Sequence, residues 1–126
     1  MYGYKKEVGT SYEDAVEKTK EELKNEGFGI LTEIDVKETL KKKLDVDFDK
    51  YAILGACNPP FAYKALQTER DVGLMLPCNV IVYELDGKVF VSAILPMVAM
   101  GMIDNEDLRE IAEQIEKKLK KVIDHI

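Results

Sequence analysis

Two short clusters, Cys57-Asn58-Pro59-Pro60 and Pro77-Cys78-Asn79, carry the side chains of this 126-residue sequence with the widest chemical reach. A thiolate is both a nucleophile and a soft ligand, and the unpaired N–H groups and dipole at a helix start stabilise it. Cys57 closes the apolar run Tyr51 to Ala56, and Asn58 followed by Pro59 is a favourable N-cap and first-turn pair. Its sulfur is therefore expected beside a helix start. The same N–H groups would bind a carboxylate or phosphate, although Pro59 and Pro60 remove two of them. The plainer reading is a buried cysteine acting as a small hydrophobe. If the strand ending at Cys57 and the strand starting at Cys78 are antiparallel neighbours, the two sulfurs converge; a parallel crossover would place them at opposite ends of the sheet.

The remaining reactive groups are sparse. Met75, Met97, Met100 and Met102 would, with the cysteines, form a soft ligand set of the kind that selects Cu(I). Methionines are also ordinary gap-fillers, no close Cys or His ligand pair accompanies them, and no metal ligands are assigned. His125 is the sole histidine and sits at the carboxy end, away from any cysteine or serine it would have to activate. Glu69-Arg70-Asp71 leads into Val72-Gly73-Leu74-Met75-Leu76, a stretch that would line a pocket for an apolar or amphipathic ligand or return as buried chain. No glycine-rich phosphate loop, nucleophile elbow or basic-aromatic nucleic-acid motif is present, so no conventional enzyme class is supported.

The elements that position these residues follow from periodicity. Tyr2 to Val8 alternates as a strand, and Ser11 with Asp14 begins a helix that places Tyr12, Ala15, Val16, Thr19 and Leu23 on one apolar face and ends at Gly27. Phe28 to Ile34 predicts a second strand, and Asp35 caps a short helix expected to turn Val36, Leu40 and Leu44 inward. Phe48 to Cys57 contains a buried third strand, and Phe61 to Arg70 a third helix with Phe61, Ala62, Ala65 and Leu66 inward. Asn79 to Leu85 and Lys88 to Leu95 form a hairpin about Asp86-Gly87, which pairs Tyr83 with Phe90. Asp104 or Asn105 opens a final helix with the stripe Leu108, Ile111, Ala112, Ile115, Leu119, Val122 and Ile126. The order β-α-β-α-β-α-β-β-α over residues 1–126 predicts a single two-layer α+β domain. Its expected sheet has about five strands, mostly antiparallel or mixed.

Composition narrows the partners. The net charge of −6 opposes attraction to nucleic acid or anionic lipid. No run reaches the roughly 18 apolar residues that cross a bilayer. The first residues lack the apolar core of a secretion signal, and two cysteines are too few for a disulfide scaffold, so the cytoplasm is the expected compartment. The hairpin is apolar on both faces, which requires cover on both, from helices or from a second subunit. A homodimer is expected.

Gly27-Phe28-Gly29-Ile30-Leu31-Thr32-Glu33-Ile34-Asp35-Val36, Leu54-Gly55-Ala56-Cys57-Asn58-Pro59 and Leu76-Pro77-Cys78-Asn79-Val80, in this order and spacing, closely resemble the domain of unknown function 302 family. The resemblance implies a small α+β fold with a tendency to dimerise. Cys57, Asn58, Pro59, Pro77 and Cys78 match its signature, while no reaction or catalytic residue comes with it. The leading expectation is a dimeric module that binds a small ligand through Cys57, Asn58, Pro59, Pro77 and Cys78, with the cofactor unspecified. The alternatives are thiol-redox or soft-metal chemistry at Cys57 and Cys78, and a structural or protein-interaction domain.

Overall fold

The structure, a computed structural model, describes residues 1–126. Five strands, β1 (Gly3–Val8), β2 (Gly29–Asp35), β3 (Tyr51–Cys57), β4 (Cys78–Leu85) and β5 (Lys88–Ile94), form one sheet in the order β1-β5-β4-β3-β2. Every neighbouring pair is antiparallel. The helices are α1 (Tyr12–Asn25), α2 (Val36–Leu44), α3 (Pro59–Thr68), α4 (Pro96–Ala99) and α5 (Glu106–Asp124), with a 3₁₀ helix over Arg70–Met75.

Local chemistry explains where the elements start and stop. Ser11, Asp35 and Asn105 accept hydrogen bonds from the backbone N–H groups of Asp14, Glu38 and Leu108, at 3.1, 2.9 and 3.1 Å. Each satisfies a donor that a helix start leaves unpaired. Helix α1 ends as predicted: Gly27 adopts φ 84°, the Phe28 N–H donates to the Leu23 carbonyl at 2.9 Å, and the Gly27 N–H donates to Lys24 at 3.0 Å. This pair of hydrogen bonds closes the last turn and turns Phe28 into the core, where it is 4% exposed. At Asp86-Gly87 both φ values are positive, 52° and 78°, so the hairpin register sets Tyr83 opposite Phe90.

Register divides the sheet into unlike faces. Leu54, Val80, Val82, Val91 and Ala93 share the side on which α1 and α5 lay their apolar stripes, and all join one buried cluster with Leu23, Leu119 and Val122. The other side carries Ile34, Ile53 and Ile81 in one row and Tyr51, Tyr83 and Phe90 in the next. None of these six is fully buried. The three aromatic rings stack at centroid distances of 5.3 and 5.3 Å, with the Lys5 ammonium 5.5 Å from the Tyr83 ring.

Two expectations need correction, and one short helix was not anticipated. Helix α2 buries no residue, and Leu44, expected inward, is 66% exposed, because the helix lies mainly against β2 and β3, the strands it joins, with no further layer covering its end. Helix α3 spans Pro59–Thr68, not Phe61 to Arg70, and the stretch after it tightens into the 3₁₀ helix. Helix α4 is an added turn that follows Pro96, whose fixed φ suits a first helical position. Replacing fully buried Leu54 by alanine is expected to lower unfolding free energy by about 2–5 kcal/mol, the usual cost of a leucine cavity. Exposed Lys42→Ala should change it by less than about 0.5 kcal/mol. Urea denaturation of the two variants checks the contrast.

Candidate functional site

Strands β3 and β4 are antiparallel neighbours, and Ala56 lies directly opposite Cys78. The segment between them, α3 and the 3₁₀ helix, therefore begins and ends at one corner of the sheet, and the chain re-enters through a cis Leu76–Pro77 bond. Cys57 is one residue beyond Ala56, so its side chain leaves from the opposite pleat to that of Cys78. The two cysteines share the corner and remain free thiols, Cys78 buried and Cys57 partly exposed.

An apolar cavity of about 260 Å³ occupies this corner. Cys57, Asn58, Pro77 and Cys78 contribute to its wall, and Phe28, Ala62, Leu66, Leu76 and Ile115 are among the apolar residues that line the rest. Pro59 does not reach it and is exposed at the first position of α3. Of the greasy stretch singled out in the sequence, Leu76 lines the cavity, Val72 belongs to the core and Leu74 is 88% exposed.

Asn58 holds the corner together in an unexpected way. It stands at the N-cap position of α3, yet its side chain makes no capping bond. Its Nδ2 instead donates to the Glu26 carbonyl at 3.1 Å, at the end of α1. The Glu26 carboxylate in turn lies 3.3 Å from Lys121 and 3.9 Å from Lys118 on α5. One amide thus ties the start of α3 to the end of α1, and a partly shielded ion pair ties that end to α5. With Asn58 turned away and two prolines in the first turn, the helix start has little left to hold an anion.

Electrostatics at the corner favour a neutral thiol. Burial pushes Cys78 up to about 11, and the proximity of Cys57 adds to the shift. His125 caps the end of α5, where its Nδ1–H donates to the Lys121 carbonyl at 2.6 Å. Phe28, Ile115 and Leu66 were read from the sequence only as strand or helix core; nothing in their periodicity distinguishes a cavity wall from solid packing.

An all-antiparallel five-stranded sheet, with the apolar stripes of α1 and α5 on one face and an apolar cavity where β3 meets β4, defines a compact α+β domain. The chain belongs to the family described as "Domain of unknown function DUF302", whose model matches residues 4–126. It is similar to a solved structure, that of an uncharacterized conserved DUF302 protein from Bacillus stearothermophilus. The likeness has 36% sequence identity and a TM-score of 0.93, covering 99% of this chain and 98% of that one. No curated protein matches.

The Cys78 shift has a thermodynamic consequence. In the unfolded chain a thiol near its ordinary value of 9.0 loses its proton before the folded one does, so the unfolded state gains relative to the folded state between about 9 and 11. The contribution is intact below pH 9 and is lost as pH rises towards 11, by about 2–3 kcal/mol. Cys78→Ala should flatten stability over this window relative to the unaltered protein, as measured by urea unfolding at successive pH values.

Proposed function

We propose that the chain is a homodimeric module that binds a small, largely apolar molecule in the cavity at the β3–β4 corner. The observation that carries this reading is the cavity itself: about 260 Å³ of space with an almost wholly apolar wall, beside the only two cysteines of the sequence. An apolar cavity of about 150 Å³ is enough to admit benzene. The space here suits a ring-sized ligand somewhat larger than that, oriented by Asn58 and the neutral Cys78 thiol. The elevated Cys78 argues against its serving as the resolving thiol of a redox pair, since burial suppresses the thiolate that this step requires.

The dimer rests on the second face of the sheet. Its half-buried isoleucine and aromatic rows, flanked by Leu85 at 47% and Phe48 at 43% exposure, form a contiguous apolar surface. A monomer seldom leaves such a surface in water.

Indole, naphthalene and p-cresol are suitable probes in a thermal-shift screen. A ligand at 100 times its dissociation constant stabilises by about 2.7 kcal/mol, which raises Tm by several degrees in a domain of this size. Ala62→Phe, which fills the cavity from α3, should abolish the shift. A flat response to a broad apolar set, or an undiminished response in the Ala62→Phe protein, would refute the cavity as the site. For the dimer, sedimentation equilibrium should give twice the 14.3 kDa chain mass for the unaltered protein and the chain mass for Ile81→Glu. A monomer in both cases would end that reading.

A further inference from the structure

A second cavity, of about 170 Å³, lies between α4 and the first turns of α5, and its wall contains Met97, Met100 and Met102. Met1 and Met75, the remaining methionines, take no part in it. We infer that these three thioethers form a binding site for a soft monovalent metal ion, Cu(I) in particular.

The backbone gathers them through a succession of tight turns. Pro96 opens α4, the Met100 N–H donates to the Pro96 carbonyl at 2.8 Å, and Met97 and Met100 fall three residues apart on one helical face. The chain then folds back at Gly101, whose N–H donates to the Val98 carbonyl at 3.2 Å. A Cβ at Gly101 would stand 2.9 Å from the Met97 carbonyl and 3.2 Å from that of Val98, so only glycine lets the backbone close this far. The Ile103 N–H donates to Met100 at 3.1 Å, which completes the bend and places Met102 at the same cavity. Helix α5 anchors the arrangement: Glu116 Oε1 accepts the Met97 N–H at 3.1 Å.

Core packing accounts for two of the three side chains and leaves Met102 without a packing role. Met100 is buried, at 5% exposure, and Met97 is partly buried against the core. Met102 is 79% exposed at the same cavity, where an apolar side chain gains little from the hydrophobic effect. A thioether remains an uncharged donor across the physiological pH range and favours Cu(I) over Zn(II), Ca(II) or Mg(II), which prefer nitrogen, thiolate or oxygen ligands. In this site Met97 and Met100 would supply two ligands from the inner wall of the cavity, and exposed Met102 the third from the solvent side. Asp104 and Glu106 at the rim provide negative charge against the exposed Arg109, which lowers the cost of bringing a cation in.

The test is an anaerobic titration of the full-length, reduced protein against a chromophoric Cu(I) chelator. The unaltered protein and the Cys57→Ser/Cys78→Ser variant should both withdraw one Cu(I) per chain. Loss of even an outer-shell partner typically weakens metal affinity about 10–100-fold, so Met102→Leu should weaken binding at least about tenfold, and Met97→Leu/Met100→Leu/Met102→Leu should abolish it. Failure to withdraw Cu(I), unchanged affinity in the triple methionine variant, or loss of binding in the cysteine variant would overturn the assignment. Should the triple variant not fold, Ag(I) added to the unaltered protein labelled at its methionine methyl carbons gives an independent NMR reading. The Met97, Met100 and Met102 signals should move together while Met1 and Met75 stay in place; any other pattern overturns the site.

Discussion

The pairing of β3 with β4 is the constraint on which the candidate site depends. Six register partners run from Tyr51 opposite Tyr83 to Ala56 opposite Cys78, so the two strands share both ends. Because the pairing is antiparallel, the chain that leaves at Cys57 must return at Cys78 at the same end of the sheet. Helix α3 and the 3₁₀ helix are the excursion this imposes. They pack against α5 and Phe28 instead of crossing the sheet, and the space left beneath them is the apolar cavity. A parallel crossover would have put Cys57 and Cys78 at opposite ends and left neither beside a pocket.

The second organising feature is the inequality of the two sheet faces. Helices α1 and α5 supply broad apolar stripes to one face, where Val80, Val82 and Val91 are completely buried. The opposite face has equally apolar residues in register but no helix laid across it, and its aromatic rings shield one another by stacking. Alternation along each strand makes this inequality unavoidable, because a strand with apolar residues on both pleats requires two covering layers, and the helices here occupy one.

Local structure was legible where local forces set it. The Ser11, Asp35 and Asn105 caps, the Gly27 termination and the Asp86-Gly87 hairpin each rest on a few neighbouring residues, and all stand where the periodicity and turn chemistry put them. The inward residues of α1 and α5 were equally legible, since a long helix has one apolar stripe and one solvated side. Helix α2 was misjudged because its stripe of Val36, Leu40 and Leu44 resembles the others, and only the absence of a packing partner leaves Leu44 in water. Asn58 stands at the helix start its position predicts, but the bond from its Nδ2 to the Glu26 carbonyl, distant in sequence, holds the side chain in place of a capping bond.

By itself, then, the sequence determined the five strands and four of the helices, their order, the apolar faces of α1 and α5 and the family to which the chain belongs. It also marked Cys57, Asn58, Pro77 and Cys78 as residues worth locating. Strand order, the meeting of the two cysteine corners and both cavities were decided only by tertiary structure. The physical reason lies in range: caps, turns and stripes are settled within one or two helical turns, whereas a cavity is the space between surfaces far apart along the chain. The corner that joins Phe28 and Ile115 to Cys57 and Cys78 has no counterpart in any local pattern, and it comes into being only when α1, α5 and the β3–β4 pair close around it.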